Sequence, residues 1–112
     1  MSDTYDLFQK GRAHLRNGRA AQATVSLEKA KRREPRSQSI REALAIAYFR
    51  LGRWAEAEAE FRALVDLAPA DHFGHYGLAR ALVKQGRQDE AKPHIKLARS
   101  LRPRTADGDA LE

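Results

Sequence analysis

The chain has 112 residues, 42% of them apolar, and its 21 Lys and Arg against 15 Asp and Glu give a formal net charge of +6 with no cysteine. That length bounds it to one small domain, and the missing thiols exclude disulfides and thiolate metal sites. No apolar run approaches the roughly 20 residues needed to span a bilayer, and the acidic opening from Met1 to Asp6 lacks the apolar segment of a secretory signal, so a cytoplasmic address is the expectation.

Charge is uneven along the chain. Residues 1–36 carry nine Lys or Arg against four acids, residues 37–70 four against five, and residues 71–112 eight against six. The excess of +5 in the first third favours acidic partners.

The first helix is predicted to begin near Thr4, where Ser2, Asp3 and Thr4 can each cap free backbone N–H groups, and to end at Asn17-Gly18. Its apolar members are Leu7, Phe8, Ala13 and Leu15. A second helix is expected over Ala20–Arg33, with Ala23, Val25, Leu27 and Ala30 as its apolar side. Its last turns hold Lys29, Lys31, Arg32 and Arg33 in the place where cations suit the helix dipole. Pro35 closes that unit. The next opens on Ser39 and Glu42, which have capping-box spacing, and runs through Leu44, Ala45, Tyr48 and Phe49 to Gly52. A helix from Trp54 through Ala57, Phe61 and Leu64 follows and stops before Pro69. Asp71 is the natural cap of the fifth helix, which ends at Gln85-Gly86; Gly74 and Gly77 each weaken it by about 1 kcal/mol relative to Ala unless they admit another backbone. Pro93 falls early in the sixth helix and is expected to bend its first turn. Residues 106–112 read as a flexible tail.

The punctuation repeats. Gly18, Gly52 and Gly86 are 34 residues apart, as are Ala23, Ala57 and Ala91, and Pro35, Pro69 and Pro103. An interval of this size marks a solenoid of stacked helix pairs. The middle copy, Leu44, Ala45, Tyr48, Gly52, Trp54, Ala57, Phe61 and Pro69, resembles the tetratricopeptide repeat pattern. Leu78, Ala79, Leu82, Gly86, Ala91, Ile95, Ala98 and Pro103 resemble it in the third copy, and Gly11, His14, Gly18, Ala23, Leu27, Ala30 and Pro35 in the first. The resemblance implies an all-α domain over residues 4–105: three antiparallel helix pairs, about 4–37, 38–71 and 72–105, in a right-handed superhelix. Small residues such as Ala45 with Ala57 let paired helices approach, while Tyr48, Trp54 and Phe61 fill the wedge between them. Ile40, Leu44 and Leu51 are expected to face the preceding repeat; Asp6, Lys10 and Asn17 stand in their places in the first copy and suit a solvent-facing end.

The resemblance also implies a groove lined by the first helix of each pair. Its residues would be Tyr5, Phe8, Arg12, Leu15 and Arg16, then Ser39, Glu42, Ile46, Phe49 and Arg50, then Phe73, Tyr76, Arg80, Val83 and Lys84. Leu15, Phe49 and Val83 form an apolar ladder beside the basic ladder Arg16, Arg50 and Lys84. A protein or peptide segment with alternating apolar and acidic residues fits such a groove; the structural alternative is packing between repeats and cations at helix ends. One subclass of the family clamps a terminal carboxylate with Lys, Asn and Arg, but the corresponding positions here are Phe8, Arg12, Ala43, Phe73 and Gly77.

Three weaker signals remain. Lys29, Lys31, Arg32, Arg33 and Arg36 form a basic patch that could touch RNA or a ribonucleoprotein, though without interleaved aromatics. His72 and His75 beside Asp71 hint at metal but lack a third converging ligand, and Glu56, Glu58 and Glu60 alternate as solvated surface rather than pair as acid and base. The expectation is a non-enzymatic interaction module without cofactor or metal, with RNA docking or self-association through the uncovered last helix as alternatives.

Overall fold

The computed structural model describes residues 3–103 and contains six helices: α1 (Thr4–Arg16), α2 (Ala20–Arg33), α3 (Gln38–Arg50), α4 (Trp54–Leu67), α5 (His72–Lys84) and α6 (Gln88–Leu101). The expected 106–112 tail lies outside the described residues. Each helix packs on its sequence neighbour, α1 also packs on α3, and α3 on α5, while α2 and α4 meet through the Lys31–Glu60 side chains. The result is three antiparallel pairs stacked in chain order.

Local chemistry sets the boundaries. The first helix of each pair is capped by a side chain: Asp3 accepts from the Asp6 N–H at 2.8 Å, Ser37 from Ile40 at 3.3 Å, and Asp71 from Phe73 at 3.1 Å. The cap of α3 is thus Ser37, two residues before the Ser39–Glu42 capping box that the sequence suggested. The chain leaves α3 through Gly52 at φ 73°, with the Arg53 N–H donating to the Tyr48 carbonyl at 3.0 Å and the Gly52 N–H to Phe49 at 3.1 Å. Those paired bonds are a Schellman termination, which needs the left-handed geometry that only glycine adopts without strain. Gly18 and Gly86 repeat it one period away on each side. Pro93 sits inside α6, and the helix continues through it to Leu101.

The core runs along the stack. Leu27, Leu44, Leu64, Leu78 and Leu82 are wholly buried, and burial of each stabilises the fold by about 1.5–3 kcal/mol. Ala23, Ala45, Ala57, Ala79 and Ala91 are buried at the close approaches between helices. Gly77 serves the same end differently: a Cβ there would collide with the Phe61 ring, so the glycine admits a neighbouring side chain rather than a backbone. Two placements differ from expectation. Leu51 caps α3 at the surface, 38% exposed, because it has already entered the turn; Trp54 is half-buried at the start of α4 and packs edge-on against Phe49.

The two seams between repeats use different chemistry. At the first, the buried Glu60 of α4 accepts from Lys31 of α2 at 2.8 Å and Arg41 of α3 at 2.9 Å, while Lys31 also reaches Glu28 at 3.0 Å. The Tyr48 hydroxyl donates to the same Glu28. Partial burial would raise the Glu28 carboxyl, but Tyr48 and Lys31 outweigh it and hold it below the usual carboxylate range. One period later Lys31, Arg41 and Glu60 become Val65, His75 and His94. Here His75 Nδ1 faces His94 Nδ1 at 3.3 Å, and His75 Nε2 lies 2.9 Å from the Pro69 carbonyl. Glu60 is therefore no solvated surface acid, and Lys31 is drawn out of the basic patch; both corrections follow from the inter-repeat pairing.

Candidate functional site

The side on which α1, α3 and α5 stand together carries a chain of three open cavities. The first, of 420 Å³, lies between α1 and α3 and is lined by Phe8, Arg12, Leu15, Arg16, Ser39, Glu42, Ala43, Ile46 and Arg50. The second, of 230 Å³, lies between α3 and α5, with Ile46, Phe49, Arg50, Phe73, Tyr76 and Arg80 on its walls and Phe61 and Gly77 beside them. The third, of 760 Å³, adds Val83 and Lys84 and passes over to α6. Ile46 and Arg50 join the first cavity to the second; Phe73, Tyr76 and Arg80 join the second to the third. Tyr5, 67% exposed, lines none of them.

Helical spacing explains why these side chains share a strip. Ile46, Phe49 and Arg50 lie three and four apart on α3, as do Phe73, Tyr76 and Arg80 on α5, and such positions neighbour one another on a helix surface. The 34-residue repeat then places equivalent positions side by side.

The cations of this strip are held by aromatic faces. The Arg80 guanidinium lies 4.7 Å from the Phe49 ring centroid and 5.8 Å from that of Tyr76, Lys84 Nζ lies 5.4 Å from Trp54, and Arg12 lies 5.5 Å from Phe8. Stacking of this kind fixes a cation while leaving its edge N–H groups for another acceptor. Arg50 behaves differently: its Nη1 donates to the Leu15 carbonyl at 2.9 Å, tying α3 to the C-terminal turn of α1. That bond differs from the helix-end role weighed as the structural alternative, because Arg50 meets the end of a neighbouring helix rather than of its own. Glu42 is the one acid lining the three cavities among the described residues, and burial together with Asp71 raises its carboxyl above the usual range.

Sequence reasoning missed Trp54 as a partner of groove residues, since its position in the repeat pattern suggests core filling. The aromatic-to-cation spacing was visible only across repeats, from Phe49 to Arg80 and from Trp54 to Lys84. The histidines do not converge either: His72 lines the third cavity, whereas His75 is buried against His94 and Pro69. Lys29, Arg32, Arg33 and Arg36 are exposed, whereas Lys31 of the same run is paired with Glu60.

A family model described as tetratricopeptide repeat matches residues 8–72, and a second of the same description matches residues 72–95. The tetratricopeptide repeat and J domain-containing co-chaperone DNJ1 of Fusarium oxysporum f. sp. lycopersici is 33% identical over 107 residues, covering 96% of this chain and 20% of that protein. MamA of AMB-1 superposes with a TM-score of 0.85 at 27% identity, covering 89% of this chain and 59% of that one. The first such domain of Spaghetti (RPAP3), solved bound to the HSP90 peptide SRMEEVD, superposes with a TM-score of 0.84 at 22% identity, covering 96% of this chain and 85% of that one. The last likeness carries the fold alone. The chain spans a fifth of the curated relative and less than two thirds of MamA.

Proposed function

The chain belongs to the tetratricopeptide repeat family and is a protein-interaction module; from that premise we propose that its groove takes an extended segment of a partner protein in which apolar and acidic residues alternate, and that the protein acts by binding alone. The observation that carries this reading is the row of stacked cations. Arg80 and Lys84 stand over Phe49, Tyr76 and Trp54, so one strip offers apolar faces and immobilised positive charge together. Acidic side chains answer the cations, apolar ones enter between Ile46, Phe49 and Phe73, and charge complementarity raises the encounter rate.

The terminal-carboxylate clamp does not come over with the family. Phe8, Arg12, Ala43, Phe73 and Gly77 stand at its positions, so side chains along the segment are read rather than its end. Among the described residues no helix is long and apolar enough to cross a membrane, which fits a partner met in water. The RNA-docking alternative has less support, because Lys31 is committed to Glu28 and Glu60.

The test is capture by Phe49→Ala with Arg50→Glu, two changes confined to half-exposed and exposed positions. A labelled peptide of alternating Glu and Leu, followed by fluorescence anisotropy, is expected to lose at least about tenfold in affinity, or about 1.4 kcal/mol. Circular dichroism should show an unchanged fold. Equal affinity of the two proteins would refute the groove assignment.

A further inference from the structure

The first two hairpins are each closed on one side by the first helix of the next: α3 lies over α1 and α2, and α5 over α3 and α4. Phe61 and Leu64 of α4 are buried in this way, with Gly77 and Gly74 of α5 set against them. One period on, the same positions are Ile95 and Ala98 of α6, and among the described residues no further helix lies over them. They line the open 760 Å³ cavity with Tyr76 and Val83 of α5, which are 50% and 41% exposed. Around these apolar side chains stand Arg80, Lys84 and Arg99, and the described lining contains no carboxylate.

We propose that this open end of the stack is a second docking surface, occupied by an amphipathic helix of another protein whose apolar seam is flanked by Asp and Glu. The repeat itself prescribes a helix, since a helix fills both equivalent positions earlier in the chain. The ring of cations prescribes acidic flanks. A second copy of this chain fits poorly in either arrangement. Face to face, it would set two such cation rings against each other. Head to tail, it would present α1, where Asp6 and Lys10 stand at the positions of Ile40 and Leu44 and leave no apolar seam. This surface shares with the groove the α5 wall of the third cavity, including Arg80 and Lys84, whereas Ile95, Ala98 and Arg99 of α6 belong to it alone, so substitutions on α6 test it separately.

The probe is a synthetic helix of about 18 residues, roughly 27 Å long, with Leu at i, i+3, i+4 and i+7 and Glu on the flanks. Anisotropy with the full chain should show saturable binding that Arg99→Glu, an exposed substitution, weakens at least about tenfold. Ile95→Glu should do the same, with circular dichroism reporting its fold, while Arg50→Glu alone, at a position outside this cavity, leaves binding of this helix within about twofold of the parent. The proposal is overturned by a peptide with Lys flanks that binds equally well, or by affinity that Arg99→Glu leaves unchanged. It is overturned too if removal of residues 104–112 raises affinity about tenfold, which would make that segment the occupant, or if light scattering shows a concentration-dependent dimer that Arg99→Glu disperses. Failure of the groove reading shows elsewhere, in capture of the extended Glu–Leu peptide.

Discussion

Gly77→Ala and Gly74→Ala place the same methyl group on the same helix three residues apart, and the structure separates their outcomes. In a solvated helix each change would stabilise by about 1 kcal/mol, because alanine loses less backbone freedom on folding. At Gly74 the new Cβ would sit 3.3 Å from Val65 Cγ2, and Val65 is only partly buried and can give by a few tenths of an ångström. The gain and the crowding nearly cancel, and the expected change is within about 0.5 kcal/mol. At Gly77 the Cβ would overlap the ring of Phe61, which is buried and also packs on Phe73 with ring centroids 6.0 Å apart. Overpacking of that kind costs about 1–3 kcal/mol or more, so the net loss is on the order of 1–2 kcal/mol after the helix gain. With an unfolding entropy near 2.1 cal/mol/K per residue, this is a fall in Tm of about 4–8 °C. Thermal unfolding followed at 222 nm provides the measurement, and Phe61→Leu combined with Gly77→Ala should recover part of the loss, giving a coupling of opposite sign to simple addition. A Gly77→Ala protein more stable than its parent would refute the account of how α4 and α5 meet.

Two other perturbations probe the seams. Glu60→Gln removes the negative charge that Lys31 and Arg41 share at a buried site and replaces one of its two acceptor oxygens by a donor, and should cost about 2–4 kcal/mol in urea titration; a change below about 0.5 kcal/mol would show the cluster to be incidental. The second seam predicts a pH effect. Burial, His75 and Arg62 hold the His94 imidazolium pKa below its ordinary 6.5, so the unfolded chain takes up a proton first. The His94 contribution to stability is therefore complete above about pH 6.5 and is lost as the pH falls below it. The Glu28 and Glu58 carboxyls, held below their ordinary 4.5, add losses only in more acidic solution. Urea midpoints at pH 7.5 and 5.5 should differ in the parent and converge in His94→Leu; an undiminished difference would place the titration elsewhere.

The fold was legible because its instructions are local and repeated. The glycines at 34-residue spacing specify left-handed termini, and all three termini form as expected. Asp71 caps as expected because it has no rival, whereas Ser37 and Ser39 are two hydroxyls within one turn and the sequence does not say which meets the free N–H groups. Register alone names most of the side chains that line the three cavities; Tyr5, though in register with Ser39 and Phe73, is exposed and lines none of them. What escaped sequence reasoning is pairing over long separations. Glu60 looks like any solvent-facing acid in the Glu56, Glu58, Glu60 alternation until Lys31 and Arg41 arrive from two other helices. Trp54 reads as wedge filler until Phe49 and Lys84 gather around it.

Arg50 occupies two roles at once. Its guanidinium fastens the second hairpin to the Leu15 carbonyl while forming part of the groove wall. A carboxylate guest that draws this side chain away from Leu15 does so at the expense of that tether. Occupancy of the hollow and anchorage of the opening hairpin are then opposed, so amide hydrogens in α1 should exchange faster in the loaded protein even as those of α3 and α5 slow.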